Sequence, residues 1–308
     1  MPRIPEEWLN SVVYLYPSVE AARQETPRSG AGGTGFIVSL PFENQALSKT
    51  LVHHYVVTND HVRVGAKAMR INLKGEGSDV LIIDGSEWFE HPDGDDVAIR
   101  PLELSQNHQY AAVNRSMMLS SEMQDKYNFG PGDEVTFIGR YVDLEGKVHN
   151  VPTVRTGIVS VFPAEPIYQK ERVHNQTTIL VEARSLSGYS GSPVFVTLSP
   201  HIEGTIDEAP FVTSLRGSPC FLLGIDYGHH PLRSPVIEKE NGHPSGGDKT
   251  RDDLYIESNS GMMMIVPAER LLTLLDSPDV VERRREEERN IEELADRVRG
   301  HFQKQPKA

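Results

Sequence analysis

A single cysteine, Cys220, stands among the 308 residues. That excludes an internal disulfide and a cysteine-based zinc cage, and it favours a reducing, cytoplasmic setting. No apolar run is long enough to span a bilayer, so no membrane role is expected. The first twenty residues lack a basic region, an apolar stretch and a small-residue cleavage site; Glu6, Glu7 and Trp8 interrupt any such pattern, and no secretory signal is expected. Basic charge is in deficit as well. With 31 Lys and Arg against 44 Asp and Glu, the formal net charge is −13, which argues against nucleic-acid binding as the main task. Metal-ligand spacing is missing too. His53, His54 and His61 lie near one another and His229 adjoins His230, but no His-Glu-x-x-His occurs, and adjacent histidines on a strand face opposite ways.

What is present is a globular composition, 38% hydrophobic and 24% charged, with length enough for two compact domains. Short β-prone runs recur at 11–16, 35–40, 55–58, 69–73, 80–83 and 96–99. A second series follows at 134–139, 154–162, 178–183, 194–198, 220–225 and 262–266. Short strands at this spacing, divided by turn signals, read as a sandwich or barrel. Residues 5–10 predict a short helical entry with Trp8 and Leu9 packed on the body, and 28–34 a flexible glycine-rich loop. Residues 116–133, polar and ending in Gly130-Pro131-Gly132, read as an inter-domain connection. Two stretches, 199–218 and 238–251, read as inserted mobile loops.

From Pro267 the pattern turns helical. Leucines at 271, 272, 274 and 275 mark a short helix over 268–275, and Ser277-Pro278-Asp279 offers a second helix start. Charges dominate 280–293, after which an apolar stripe runs through Ile291, Leu294, Ala295, Val298 and Phe302. That stripe either docks on the protein's own body or pairs with a partner helix or a second copy through 280–302.

The stretch 187–194, Ser-Gly-Tyr-Ser-Gly-Ser-Pro-Val, is a tight turn of small residues between two β-prone runs. Ser190 there has an exposed hydroxyl, and the N–H groups of Gly188 and Ser190 can converge on one point where an oxyanion would develop. A plain hairpin turn explains the same residues equally simply. A nucleophilic serine also needs a base and a carboxylate to orient it. His61 ends a β-prone run in a polar turn, and Asp96 stands where a polar loop enters an apolar strand; Asp95 is a rival for the latter role. Cys220 opens a strand with no base motif beside it and reads as a core cysteine.

Taken in order, these segments resemble the trypsin-like, chymotrypsin-fold serine peptidases, and among them the bacterial HtrA (Deg) type. The likeness runs through Gly33-Thr34-Gly35-Phe36, Thr58-Asn59-Asp60-His61-Val62 and Asp96-Val97-Ala98-Ile99. It continues through Gly132 to Gly139, through Thr156-Gly157-Ile158-Val159-Ser160, and through the nucleophile turn Gly188 to Pro193. Leu223-Gly224-Ile225 and Gly261 to Val266 complete it, so that it covers about residues 8 to 275. The resemblance implies an all-β chain of two six-stranded antiparallel barrels with a C-terminal α-helical extension. The first barrel would occupy 8–115 and carry His61 and Asp96, with 116–131 as linker. The second would occupy 132–267 and carry Ser190, with helices over 268–308.

By the same likeness Ser190 is the nucleophile, His61 the general base and then acid, and Asp96 the orienting carboxylate. Gly188 and Ser190 supply the oxyanion hole, and a protein or peptide is the substrate. No metal or organic cofactor is implied. The pocket would draw on Tyr227, Gly228, Met262 and Met263, which favours an apolar side chain, or on Arg184 at its base, which favours an acidic one. Tyr189 departs from secreted relatives, which carry there an aspartate that pairs with a newly cut N-terminus, so activation by that route is not expected. Ser192 replaces the commoner glycine. About forty residues follow Pro267, too few for the PDZ domain usual in the HtrA type. The rival from another class is a catalytically silent trypsin-like fold that serves as an interaction module through its C-terminal helix.

Overall fold

A computed structural model describes residues 4–24, 32–44, 47–83, 85–162, 165–170, 172–197, 220–238 and 249–303. The expected loop over 199–218, residues 239–248 of that over 238–251 and residues 28–31 of the glycine-rich stretch lie outside the described residues, while 238 and 249–251 belong to strands.

The chain opens with a single 3₁₀ segment, Glu6–Ser11, then strand β1 (Val12–Tyr16) and a helical turn α1 (Val19–Ala22). β2 (Gly33–Asn44) and β3 (Lys49–Thr58) form a long hairpin, which the one-turn helix α2 (Asp60–Gly65) closes. β4 (Ala68–Asn72), β5 (Ser78–Ile82), β6 (Phe89–Glu90), β7 (Ala98–Pro101) and β8 (Val113–Asn114) complete an eight-stranded sheet. Its order is β5-β4-β1-β2-β3-β7-β6, with β8 paired to β2. The run Val-Val-Tyr-Leu-Tyr of β1 shows no polar alternation because both faces of the strand are covered. Val12, Tyr14 and Tyr16 enter one core cluster, and Val13 and Leu15 another. Among the described residues no pairing joins β5 to β6, so the expected six-stranded barrel is here an eight-stranded sheet open along its hydrogen bonds. The end strand β6 has two residues and offers almost no ladder to close on.

The helix α3 (Ser121–Tyr127), capped by the Ser120 hydroxyl, lies within the expected connection. β9 (Glu134–Gly139), β10 (Thr153–Val161), β13 (Ile179–Glu182), β14 (Pro193–Thr197), β15 (Cys220–Glu238) and β16 (Lys249–Pro267) then form a closed six-stranded barrel, β10-β13-β16-β15-β14-β9. Between β10 and β13 a separate hairpin, β11 (Ile167–Gln169) with β12 (His174–Gln176), stands off the barrel. The barrel interior holds Val135, Phe137, Val181, Tyr189, Val194, Phe221 and Met263.

One apolar cluster joins the sheet to the barrel and the C-terminal helices. Trp8 meets Phe195 edge to face at 4.4 Å, as the expected packing of the entry segment requires. The helix α4 (Ala268–Leu275) buries Leu271, Leu274 and Leu275 completely in that cluster. The last helix, α5 (Pro278–Gln303), buries Val280, and its Arg284 donates to the Leu275 carbonyl at 2.8 Å, satisfying one orphan acceptor of α4. Glu287 and Glu288 reach the two ring nitrogens of buried His53 at 3.2 and 2.9 Å. The first half of α5 therefore docks on this chain's own sheet. Further along, Ala295 is buried and Leu294 exposed, while the side chains of Val298 and Phe302 lie outside the described residues.

Candidate active site

The residues from Thr58 to His61 leave β3 and enter the first turn of α2, so the polar turn expected to end the β-prone run is a helical one and carries His61. Buried Asn59 fixes that corner by donating from Nδ2 to the Asp96 carbonyl at 2.8 Å. Asp96 precedes β7, and both of its oxygens face His61. Oδ1 accepts the His61 backbone N–H at 3.0 Å, and Oδ2 lies 2.7 Å from Nδ1. The carboxylate is 2% exposed and the imidazole 42% exposed, so one end of the pair is dry and the other open to a ligand. Asp95 points elsewhere. Its oxygens bind Gln176 at 3.0 Å, His174 at 3.3 Å and the Arg270 side chain of α4. A bend at Asp96, spanned by the Val97 N–H to the Asp95 carbonyl at 2.7 Å, separates the two candidate carboxylates.

Ser190 comes to the same region from the barrel. Its carbonyl accepts the Thr34 N–H at 2.8 Å, and a side chain on neighbouring Gly33 would meet both that carbonyl and Val62, the residue after His61. No hydrogen bond joins His61 to Ser190 among the described residues. Such bonds often tighten only once a ligand is bound. The turn itself requires its glycines. Gly188 has φ +96 and Gly191 φ +89, and a Cβ on Gly191 would stand 1.9 Å from the Thr34 carbonyl oxygen. Among the described residues neither the Gly188 nor the Ser190 N–H has an acceptor, while Tyr189 and Gly191 donate to Leu186 and Asp226. Two free donors in so tight a turn are what an anion-stabilising site needs.

Tyr189 turns away from the site into the barrel. It is 1% exposed, its hydroxyl bonds Thr153, and its ring meets Phe137 edge to face at 5.5 Å. It is a core residue. Ser192 is fully buried beside it, and its hydroxyl has no partner among the described residues.

Thr34 stitches the turn to the first sheet, a role no motif announced. Its hydroxyl donates to the Gly188 carbonyl at 2.7 Å and accepts the Arg140 N–H at 2.9 Å, while its own carbonyl takes the Thr58 hydroxyl at 2.7 Å. Thr34→Val, at a fully buried position, strands two polar groups. We expect a loss of about 2–3 kcal/mol in unfolding free energy, read by urea titration, with Thr34→Ser close to wild type. Equal stability of the valine variant would show that water or relaxation replaces those bonds.

The expected pocket residues part company. Arg184 is exposed and makes no ion pair among the described residues. Gly228 borders open space, with no atom within 4 Å of where its Cβ would be, and Met262 is half-buried opposite Glu182. Tyr227 is buried, its hydroxyl held by Thr178 at 2.7 Å and Gln169 at 3.1 Å. Met263, opposite Val181, lies inside the barrel core and has no exposed surface to offer.

Two further groups occupy this corner. Asp226 of β15 is fully buried, its Oδ2 accepting from the Ser185 hydroxyl at 2.7 Å and its Oδ1 from the Gly228 N–H at 3.0 Å. Burial pushes its carboxyl up to about 7, partly offset by those two hydrogen bonds and by the charge of nearby His61. An acid inside the apolar run Phe-Leu-Leu-Gly-Ile-Asp-Tyr was the one signal of it in the sequence. Arg172, between β11 and β12, reaches Asp96 and binds Asp60 at 3.2 Å. Cys220 is a free, buried thiol pushed up to about 12 by burial, unsuited to act as a nucleophile. No group of histidine, cysteine and carboxylate side chains that could hold a metal occurs among the described residues.

No family model matches the chain, and none of the curated proteins compared with it does. Among solved structures it is similar to the HtrA-type protease AlgW with a tripeptide, at TM-score 0.45 and 18% identity, covering 88% of this chain and 60% of that one. It is also similar to AlgW with a decapeptide, at TM-score 0.41 and 17% identity, covering 90% of this chain and 66% of that one. The chain thus spans less than two thirds of the length of either.

Proposed function

We propose that this protein is a trypsin-like serine endopeptidase that cleaves peptide bonds through an acyl-enzyme. The observation that carries the reading is the buried Asp96 carboxylate, which grips His61 at both its backbone N–H and Nδ1. Around it stand the Ser190 turn and the Gly188 and Ser190 N–H groups, unpaired among the described residues.

In this reading Ser190 Oγ attacks the scissile carbonyl carbon and its proton passes to His61 Nε2. The carbonyl oxygen, now anionic, is held by the Gly188 and Ser190 N–H groups. The tetrahedral intermediate collapses, the C–N bond breaks, and His61 returns the proton to the leaving amine. Water then repeats the sequence on the ester. Asp96 keeps the Nδ1–H tautomer, so that Nε2 presents a lone pair to the serine. The substrate is a peptide or unfolded segment, its preceding side chain lying toward Gly228 and Met262. The oxygen chemistry needs no metal or organic cofactor.

A fluorophosphonate probe tests this directly, because it reacts only with a serine that is activated and has a working oxyanion site. Wild type should label at Ser190 and Ser190→Ala should not. Wild type that stays unlabelled from pH 6 to 9 would sink the reading and leave the silent scaffold in its place.

A further inference from the structure

The orienting carboxylate has a third partner, and it comes from the hairpin between β10 and β13. Arg172 lies 76 residues from Asp96 in sequence, on the turn of the β11–β12 hairpin. One guanidinium nitrogen, Nη1, bonds Asp96 Oδ1, the oxygen that also holds the His61 backbone N–H. The other, Nη2, takes Asp60 Oδ2 at 3.2 Å and the Gly94 carbonyl at 3.1 Å. A planar fork therefore spans both ends of the corner that carries His61. The same hairpin supplies Gln176, whose Oε1 accepts the Asp96 N–H at 2.7 Å. Its other side-chain contacts go to Asp95 through His174 and Gln176, and to Tyr227 and Met264 through Gln169. Tyr168, Lys170, Val173 and Asn175 are exposed, so the side chains that face the body, Gln169, Arg172, His174 and Gln176, are the ones that meet the Asp95–Asp96 corner and the strands beside it.

We propose that Arg172 is the positioning residue of the catalytic pair. It fixes the Asp96 carboxylate plane so that Oδ2 meets Nδ1, and its cation tempers the field of Asp96 at the imidazole. The inference rests on the serine-peptidase reading and deepens it, placing control of the first sheet's catalytic corner in a hairpin of the second body. The charged and titratable groups around the pair are Asp60 on α2, Arg172 and His174 on the hairpin, Asp95 with Arg270 behind it, and Asp226 with Tyr227 on β15. Arg172 is the one cation among them that touches Asp96.

The test measures the second-order rate of fluorophosphonate labelling against pH in the full chain. General acid–base catalysis contributes on the order of 10² to 10⁴ in rate, and a loosened orienting group forfeits part of it, about tenfold in Arg172→Ala. The acid limb of the profile moves to higher pH in Arg172→Ala, because loss of the cation leaves Asp96 to favour the protonated imidazole. Arg172→Lys keeps the charge but cannot fork to both carboxylates, so it labels more slowly than wild type with the limb in its original place. Arg172→Gln, which keeps the stem and a donor, carries the charge readout if the alanine variant does not fold. Wild type without labelling refutes the serine-peptidase reading itself. Wild type that labels, with a limb that stays put or moves to lower pH in the neutral variants, overturns the role of Arg172. A lower melting temperature with no change in rate or limb would likewise reduce Arg172 to a structural contact and overturn it.

Discussion

In Asp96→Asn the rate of fluorophosphonate labelling at Ser190 falls by about 10⁴-fold, the scale seen when the orienting acid of such a triad becomes an amide. The cause is the tautomer. Asp96 Oδ2, 2.7 Å from Nδ1, is an acceptor only, so it selects the imidazole that carries its hydrogen on Nδ1. An amide turned to keep the His61 N–H and Arg172 on its oxygen presents its NH₂ to Nδ1. The ring then places its hydrogen on Nε2, and no lone pair remains to take the serine proton. Size and shape are unchanged, and the Asn59 and Gln176 bonds run to the Asp96 backbone, so the fold persists. Asp95→Asn is the contrast. Its partners are Gln176, His174, Arg270 and His91, none of them His61, and its loss lowers stability with labelling within about tenfold of wild type. Equal labelling by Asp96→Asn and wild type would remove Asp96 from the mechanism; a collapse in Asp95→Asn alone would transfer the role.

How far residues alone lead depends on whether a feature is local. Helix α4 was legible to the residue, 268–275, because four leucines and the following Ser-Pro-Asp are short-range signals. The meeting of His61 with Asp96 was legible from the order of short motifs. The Tyr189 oddity was legible as an absence of charge, but its destination was not, since only the closed barrel shows that its ring belongs to the core. Met263 illustrates the commonest failure. In the run Met-Met-Met the inward phase is set by the register with β13, and a shift of one residue exchanges inside for outside. Arg172 and Gln176 carried no motif, and their purpose depends on a hairpin folding back across the interface. The closure of the first sheet failed for a similar reason, because β6 is defined by two pairings and not by any pattern of its own.

What remains unexplained by packing is why an acid is kept at position 226. Strand β15 there is apolar on both sides, with Ile225 and Leu223 buried, and Asp226 has no cation bonded to it among the described residues. Buried charge without a paired cation costs stability, and such groups tend to be retained where a site needs them. Its backbone belongs to the nucleophile turn: the Gly191 N–H reaches the Asp226 carbonyl at 2.8 Å, and the Asp226 N–H reaches the Ser192 carbonyl at 3.0 Å.

The prediction follows from its raised pKa, from 3.8 to about 7, caused first by burial. Below about pH 4 both the folded and the unfolded chain hold the proton, and Asp226 contributes no pH dependence. Between about 4 and 7 the unfolded chain has lost it while the folded chain keeps it, so stability falls as pH rises. Above about 7 both are ionised and the loss is complete, on the order of 4 kcal/mol for a shift of this size. Asp226→Asn retains an acceptor for the Gly228 N–H and a polar partner for Ser185, and it cannot ionise. Against wild type it therefore gains nothing below pH 4 and about 4 kcal/mol by pH 8. Urea unfolding at a series of pH values reads this as a gap that opens across the interval and then stays constant. A constant gap at every pH would mean that Asp226 does not titrate there, and a variant less stable at pH 8 would mean that its anion is held by more than Ser185 and Gly228. If the stabilised variant also labels more slowly at Ser190, the acid is kept for the site at the expense of the fold.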